Sequence, residues 1–266
     1  MKIARRILVT SAITLAVIFV GVQWVLPVVL SFDAARNSPP ITRIVPTDLK
    51  DTSTSEAPGK TLSYFGYEFE VPWSDLDENQ TLLYPTDKPE KCRADLRFRS
   101  GLRLIVTAIP AGEWTNELAT QFKVPRQSIE SSFEAKSDYG FLKNLYEFTP
   151  GKMHYWALSP RIHYREHLLL TIKTAALPPS TGTGIFNLLN QSYKGFQEGN
   201  PQVRQDGIDV RLFSDQGSVE MIFSQKNYKN SAGVTQPEIN RIVQSLRKAP
   251  HEGASDGERA TGKGTS

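Results

Sequence analysis

Phe65, Tyr67, Phe69 and Val71 alternate with Gly66, Glu68 and Glu70, and Pro72 follows. A period of two predicts a half-buried strand that the proline closes. Residues 95–110, DLRFRSGLRLIVTAIP, predict a hairpin: Leu96 and Phe98 share one side, Ser100-Gly101 turn the chain, and Leu102, Leu104 and Val106 return on it. The period then changes. Thr115 is placed to cap a helix NELATQFK, and Pro125 starts another that runs to about Phe133. Ser137-Asp138 precede a helical spacing of Phe141, Leu142, Leu145 and Phe148, which Thr149-Pro150 stops. Ser159-Pro160 begin a further helix carrying Leu168, Leu169, Ile172, Ala175 and Ala176, ended by Pro178-Pro179. Strands return in GIFNLLNQSYKGF, bounded by glycines, and in DVRLFSDQGSVEMIFS, where Val210 and Leu212 lead into a turn and then Val219, Met221 and Phe223. Thr235, Pro237 and Glu238 open a closing helix with Ile239, Ile242, Val243 and Leu246 on one face. Strands, a helical middle section, then strands and a helix predict an α+β domain with a largely antiparallel sheet.

A different pattern precedes this body. Residues 7–30 form a stretch of 24 residues without a charge. As a helix it would extend about 36 Å, more than the ~30 Å hydrocarbon core of a bilayer, and it exceeds a secretory signal's apolar region of about 7–15 residues. Phe32 and Asp33 stand where a signal-peptidase site needs small side chains. The expectation is a retained transmembrane signal anchor contacting the lipid bilayer, with Pro27 placed to kink it and Trp24 suited to an interface. Lys2, Arg5 and Arg6 make residues 1–6 a basic, cytoplasmic N-terminus, so the rest faces outward, into a periplasm if the cell is bacterial.

Residues 31–60 carry Pro, Ser, Thr and Asp without an apolar period and read as a flexible linker; residues 249–266, rich in Gly, Ser and charge, read as a disordered tail. That leaves 61–248 as the extracytoplasmic folded domain. Charge alters this little: 31 basic against 28 acidic residues leave +3, spread along the chain, which gives no footprint for nucleic acid. One cysteine, Cys92, excludes an intramolecular disulfide.

The candidate chemistry centres on HYREH, residues 163–167, which matches a reversed zinc-protease pattern with His163, Glu166 and His167 as the residues that would act on zinc. Stepping about 100° per residue from Ile162 places both histidines on one face, away from the apolar arc of Tyr164, Leu168, Leu169 and Ile172. That reads as a solvated helix face. A third ligand is not marked, although Glu198, Glu220 and Glu238 lie downstream. Asp75, Asp77 and Asn79 match the first ligands of a calcium loop, but Gln80 and Thr86 stand where glycine and glutamate belong, so an acidic turn is expected. GERATGKGTS lacks the Ser or Thr that must follow the lysine of a phosphate loop. Among the clustered aromatics, Tyr64, Trp73 and Trp156 are the expected exposed positions, a candidate ligand- or partner-binding surface.

These observations point to a membrane-anchored, non-enzymatic accessory protein that needs no cofactor and binds a protein partner in the cell envelope. An extracytoplasmic zinc hydrolase built on HYREH is the alternative.

Overall fold

The computed structural model describes residues 14, 18–84, 92–157, 159–177, 184–203, 207–225 and 233–249. The basic N-terminus, most of the tail and the GERATGKGTS segment lie outside them. The fold is α+β, around a mixed sheet of eight strands. In chain order the strands are β1 (Pro46–Asp48), β2 (Lys60–Tyr64), β3 (Tyr67–Val71), β4 (Leu82–Tyr84), β5 (Cys92–Arg97), β6 (Leu102–Pro110), β7 (Ile185–Leu189), β8 (Lys194–Glu198), β9 (Ile208–Ser214), β10 (Gly217–Gln225) and β11 (Arg247–Lys248). The large sheet runs β1-β7-β8-β9-β10-β6-β5-β4, antiparallel throughout except for β1 beside β7. A small sheet, β11-β3-β2, shares no strand pairing with it and packs on one of its faces.

Alternation decides how the layers stack. Leu102, Leu104 and Val106 of β6, Val210 and Leu212 of β9, and Val219, Met221 and Phe223 of β10 share one face. They pack against Phe69 and Val71 of β3 and against Ile239, Ile242 and Val243 of helix α6 (Gln236–Ser245). Helix α6 starts as expected, with the Thr235–Glu238 capping box in place. Ile185, Phe196 and Phe213 point to the other face, where helices α2 (Glu113–Gln121), α3 (Arg126–Phe133), α4 (Asp138–Glu147) and α5 (Pro160–Ala176) build a second core with Ile129, Phe141, Leu142 and Ile172. Strands β8 and β9 approach so closely at Gly195 that a Cβ there would sit 1.8 Å from the Arg211 carbonyl oxygen.

Helix α2 departs from expectation. It begins at Glu113, with Gly112 rather than Thr115 at its N-cap. The Thr115 hydroxyl instead donates to Asp138 Oδ1 at 2.5 Å, while Asp138 also accepts from the Gly112 and Thr115 amides. A carboxylate from the start of α4 thus satisfies the first amides of α2, where the helix dipole favours negative charge.

Residues 31–60, expected as a flexible linker, are laid along the body. Thr42 is fully buried, Ile41 and Ile44 join the helical core, and β1 pairs with β7. Asn240 Nδ2 donates to the Asp51 and Ser53 carbonyls, and Arg241 to those of Ser55 and Ala57. The apolar N-terminal helix, α1 (Ile18–Asn37), is long and apolar enough to cross a membrane, and 12% of its most apolar window is buried. It passes through a π-helical turn at Gly21–Val25, just before Pro27. Proline lacks an amide hydrogen and crowds the preceding turn, which accounts for the widened turn there. The last turns of α1 pack on α5 through Ala35, Met153 and Leu170.

Candidate interaction groove

The helical layer covers only part of its face of the large sheet. Beyond it, β5, β6 and β10 present Arg93, Asp95, Arg103, Thr107, Ile109 and Glu220 to a groove of about 520 Å³, walled by Trp114 and Glu117 of α2 and by Tyr84 of β4. The floor is ordered by a bidentate pair: Arg103 donates to Asp95 through Nε (2.7 Å) and Nη2 (2.6 Å). Those bonds hold the Asp95 carboxyl below its ordinary range and raise the guanidinium of Arg103. At the rim is β4, which pairs with β5 at the edge of the sheet. Leu82, Leu83 and Tyr84 are 41%, 52% and 46% exposed. An edge strand carrying three exposed apolar side chains is a template for an added strand and a site of apolar contact.

Glu220 links the groove to Arg211. This guanidinium donates to Glu220 (3.0 Å) on β10, Glu198 (2.7 Å) on β8, Asp209 (2.5 Å) on its own strand, and the Tyr146 hydroxyl (3.1 Å) of α4. Tyr146 in turn donates to Glu198. Three carboxylates share one guanidinium. Burial, with Glu220 and Glu198 alongside, outweighs the nearby Arg211 and pushes Asp209 well above the carboxylate range. Burial and the charge on Glu198 likewise raise Tyr146. Glu198 Oε2 and Asp209 Oδ1 have no hydrogen-bond partner among the described residues. Glu198 and Glu220, weighed as zinc ligands from the sequence, are therefore occupied by Arg211. Glu238 caps α6 and accepts from Trp73 Nε1 (2.9 Å).

HYREH sits elsewhere, on α5, and its faces differ from the expected ones. His163 and Glu166 are buried, whereas His167 and Tyr164 are exposed. The cause is α1, which covers the face that counting apolar residues assigns to solvent. His163 Nε2 donates to the Ala157 carbonyl (2.8 Å), which leaves Nδ1 facing the Ser31 hydroxyl of α1 at 3.0 Å. Glu166 accepts from the His154 amide (2.9 Å) and lies 2.6 Å from His154 Nδ1. Both ring nitrogens of His163 have protein partners, and the pair His163/His167 is split between interior and surface. Among the described residues no group of three His, Cys, Asp or Glu side chains is placed to hold a metal ion. About two turns beyond Glu166, Lys173 is fully buried and donates to the carbonyls of Ile44, Tyr146 and Phe148, each at 2.7 Å.

The three aromatics expected at the surface part company. Trp73 is buried, edge-on to Phe98 at 5.0 Å; Tyr64 is half-buried; Trp156 is 81% exposed. The acidic turn is as expected: Asp75 accepts from the Ser100 amide and Asp77 from that of Asn79. None of the three lines the groove, and sequence reasoning missed the residues that do. The available signal was the charged side of β5 and β6, alternating with Ala94, Leu96, Leu104 and Val106, but that pattern also describes any solvated sheet face. A scan against protein-family models finds no match, and searches of curated proteins and of solved structures return no similar chain.

Proposed function

We propose that this chain is a single-pass membrane-anchored accessory protein whose body, on the side of the membrane opposite the basic N-terminus, binds an envelope protein through the β4 edge and the adjoining groove. The observation that carries the reading is the open β4 edge, where Leu82, Leu83 and Tyr84 stand exposed beside the groove. An extended segment laid along β4 would gain main-chain hydrogen bonds, with Trp114 and the Arg93/Arg103 floor available to its side chains. Among the described residues the groove is lined by Arg93, Arg103, Asp95, Glu117 and Glu220 beside Trp114 and Tyr84, charged and aromatic groups that suit recognition of a peptide segment. A photocrosslinking residue at Leu83 of the full chain, in intact cells, should yield one discrete adduct that is absent when the probe replaces exposed Gln216. Equal labelling from both positions, or none from Leu83, would refute the reading.

A further inference from the structure

Just past the apolar part of α1, still within the helix, Phe32 stacks on Tyr155 with ring centroids 4.4 Å apart and meets Trp156 edge-on at 5.6 Å. Trp156 is 81% exposed and Phe32 42%. The Tyr155 hydroxyl donates to the Pro150 carbonyl at 2.6 Å, which fixes the ring that carries the stack. We infer that Phe32, Tyr155 and Trp156 form an aromatic collar that seats the body directly on the headgroup region of the phospholipid bilayer crossed by α1.

The inference rests on the reading of α1 as a membrane anchor and deepens it. Phe32 lies two residues past Leu30, the last residue of the expected membrane span, which is about 3 Å along a helix axis. A bilayer that ends near Leu30 therefore ends at the collar. The exposed apolar surface is continuous up to that point: Val25, Leu26, Val29 and Leu30 are each 47% to 57% exposed. The body cannot swing away, because Ser31 faces His163 and Ala35 packs against Met153 and Leu170. Amphipathic aromatic rings partition to the boundary between acyl chains and headgroups, where an exposed tryptophan costs little. Lys152 and Arg161, exposed on either side of the collar in sequence, suit anionic headgroups.

The test uses the full chain reconstituted in vesicles of phosphatidylcholine and phosphatidylglycerol, with the phosphatidylcholine brominated high on its acyl chains. Trp24→Phe removes the tryptophan inside the span. This variant should remain quenched by the shallow bromine, and adding Trp156→Phe should return fluorescence to its level in unbrominated lipid. If Trp24→Phe is not quenched while the chain still resists alkaline carbonate extraction, the anchor stands and the collar is overturned. If carbonate extracts the chain, the anchor reading fails and takes the collar with it. Unchanged melting of Trp156→Phe, whose ring is mostly in solvent, would confirm that lost quenching is not lost folding.

Discussion

Lys173 offers a quantitative test of how the helical layer is held. Its ammonium lies in the core between three carbonyls, those of Ile44, Tyr146 and Phe148, each 2.7 Å away. Lys173→Met keeps the side-chain length but removes all three donors. Each orphaned buried acceptor costs about 1–3 kcal/mol, and several kcal/mol return because the ammonium no longer has to be desolvated. The net loss should be about 3 kcal/mol near neutral pH. A pH dependence sharpens the test. Burial, with Lys152 as a lesser cause, pulls Lys173 down to about 8 from the ordinary 10.5. Between those values the unfolded chain holds a proton that the folded chain has released, so folded stability rises with pH. A difference of about 2.5 pH units corresponds to about 3 kcal/mol. Urea unfolding of the full chain in detergent micelles, followed by circular dichroism in steps through that window, should show wild type gaining on Lys173→Met by up to that amount. A flat difference would show that the three carbonyls hold the ammonium charged as firmly as water does, and would refute the argument.

Three further outcomes follow from the packing. Gly195→Ala should abolish folding or lower Tm by well over 10 °C, roughly, because its Cβ would lie 1.8 Å from the Arg211 carbonyl oxygen and β8 would have to leave β9; a thermal melt decides it. Asp138→Ala should cost about 1–2 kcal/mol by stripping the amides of Gly112 and Thr115, and Asp138→Asn, which keeps an acceptor, about half as much, both read by urea unfolding. Arg211→Met should cost about 3–5 kcal/mol near neutral pH by leaving Glu198, Asp209 and Glu220 uncompensated. Asp209, raised by burial, binds its proton more tightly folded than unfolded, so that deficit should shrink as pH falls through its folded pKa, and unfolding measured at about pH 5 and pH 7 should show it.

Much of the fold was legible because local rules and packing agree. The alternation in β6, β9 and β10, the proline boundary before α3 and the Thr235–Glu238 capping box each specify an element from neighbouring residues alone. Readings failed where a distant segment decides the environment. On α5 the stripe His163, Glu166, Leu170 and Lys173 is mostly polar, so an apolar wheel turns it outward, yet α1, Ile44 and Tyr146 supply its partners from far along the chain. The segment at 38–57 has no apolar period because backbone pairing and the amide and guanidinium of Asn240 and Arg241 hold much of it, with only scattered side chains such as Ile41, Thr42 and Ile44 buried. The groove draws on β4, β5, β6, α2 and β10, and its position follows from where the helical layer stops, a tertiary fact with no short-range signature.

The proposed function requires α1 to cross a bilayer with the body on the far side from Lys2. Single cysteines placed at Lys2 and at Gln216 in a Cys92→Ser background, exposed in intact cells to a membrane-impermeant maleimide, test this directly. Label at Gln216 alone, with Lys2 reacting only after permeabilisation, is the predicted result; label at Lys2 in intact cells, or full protection of Gln216, would contradict it.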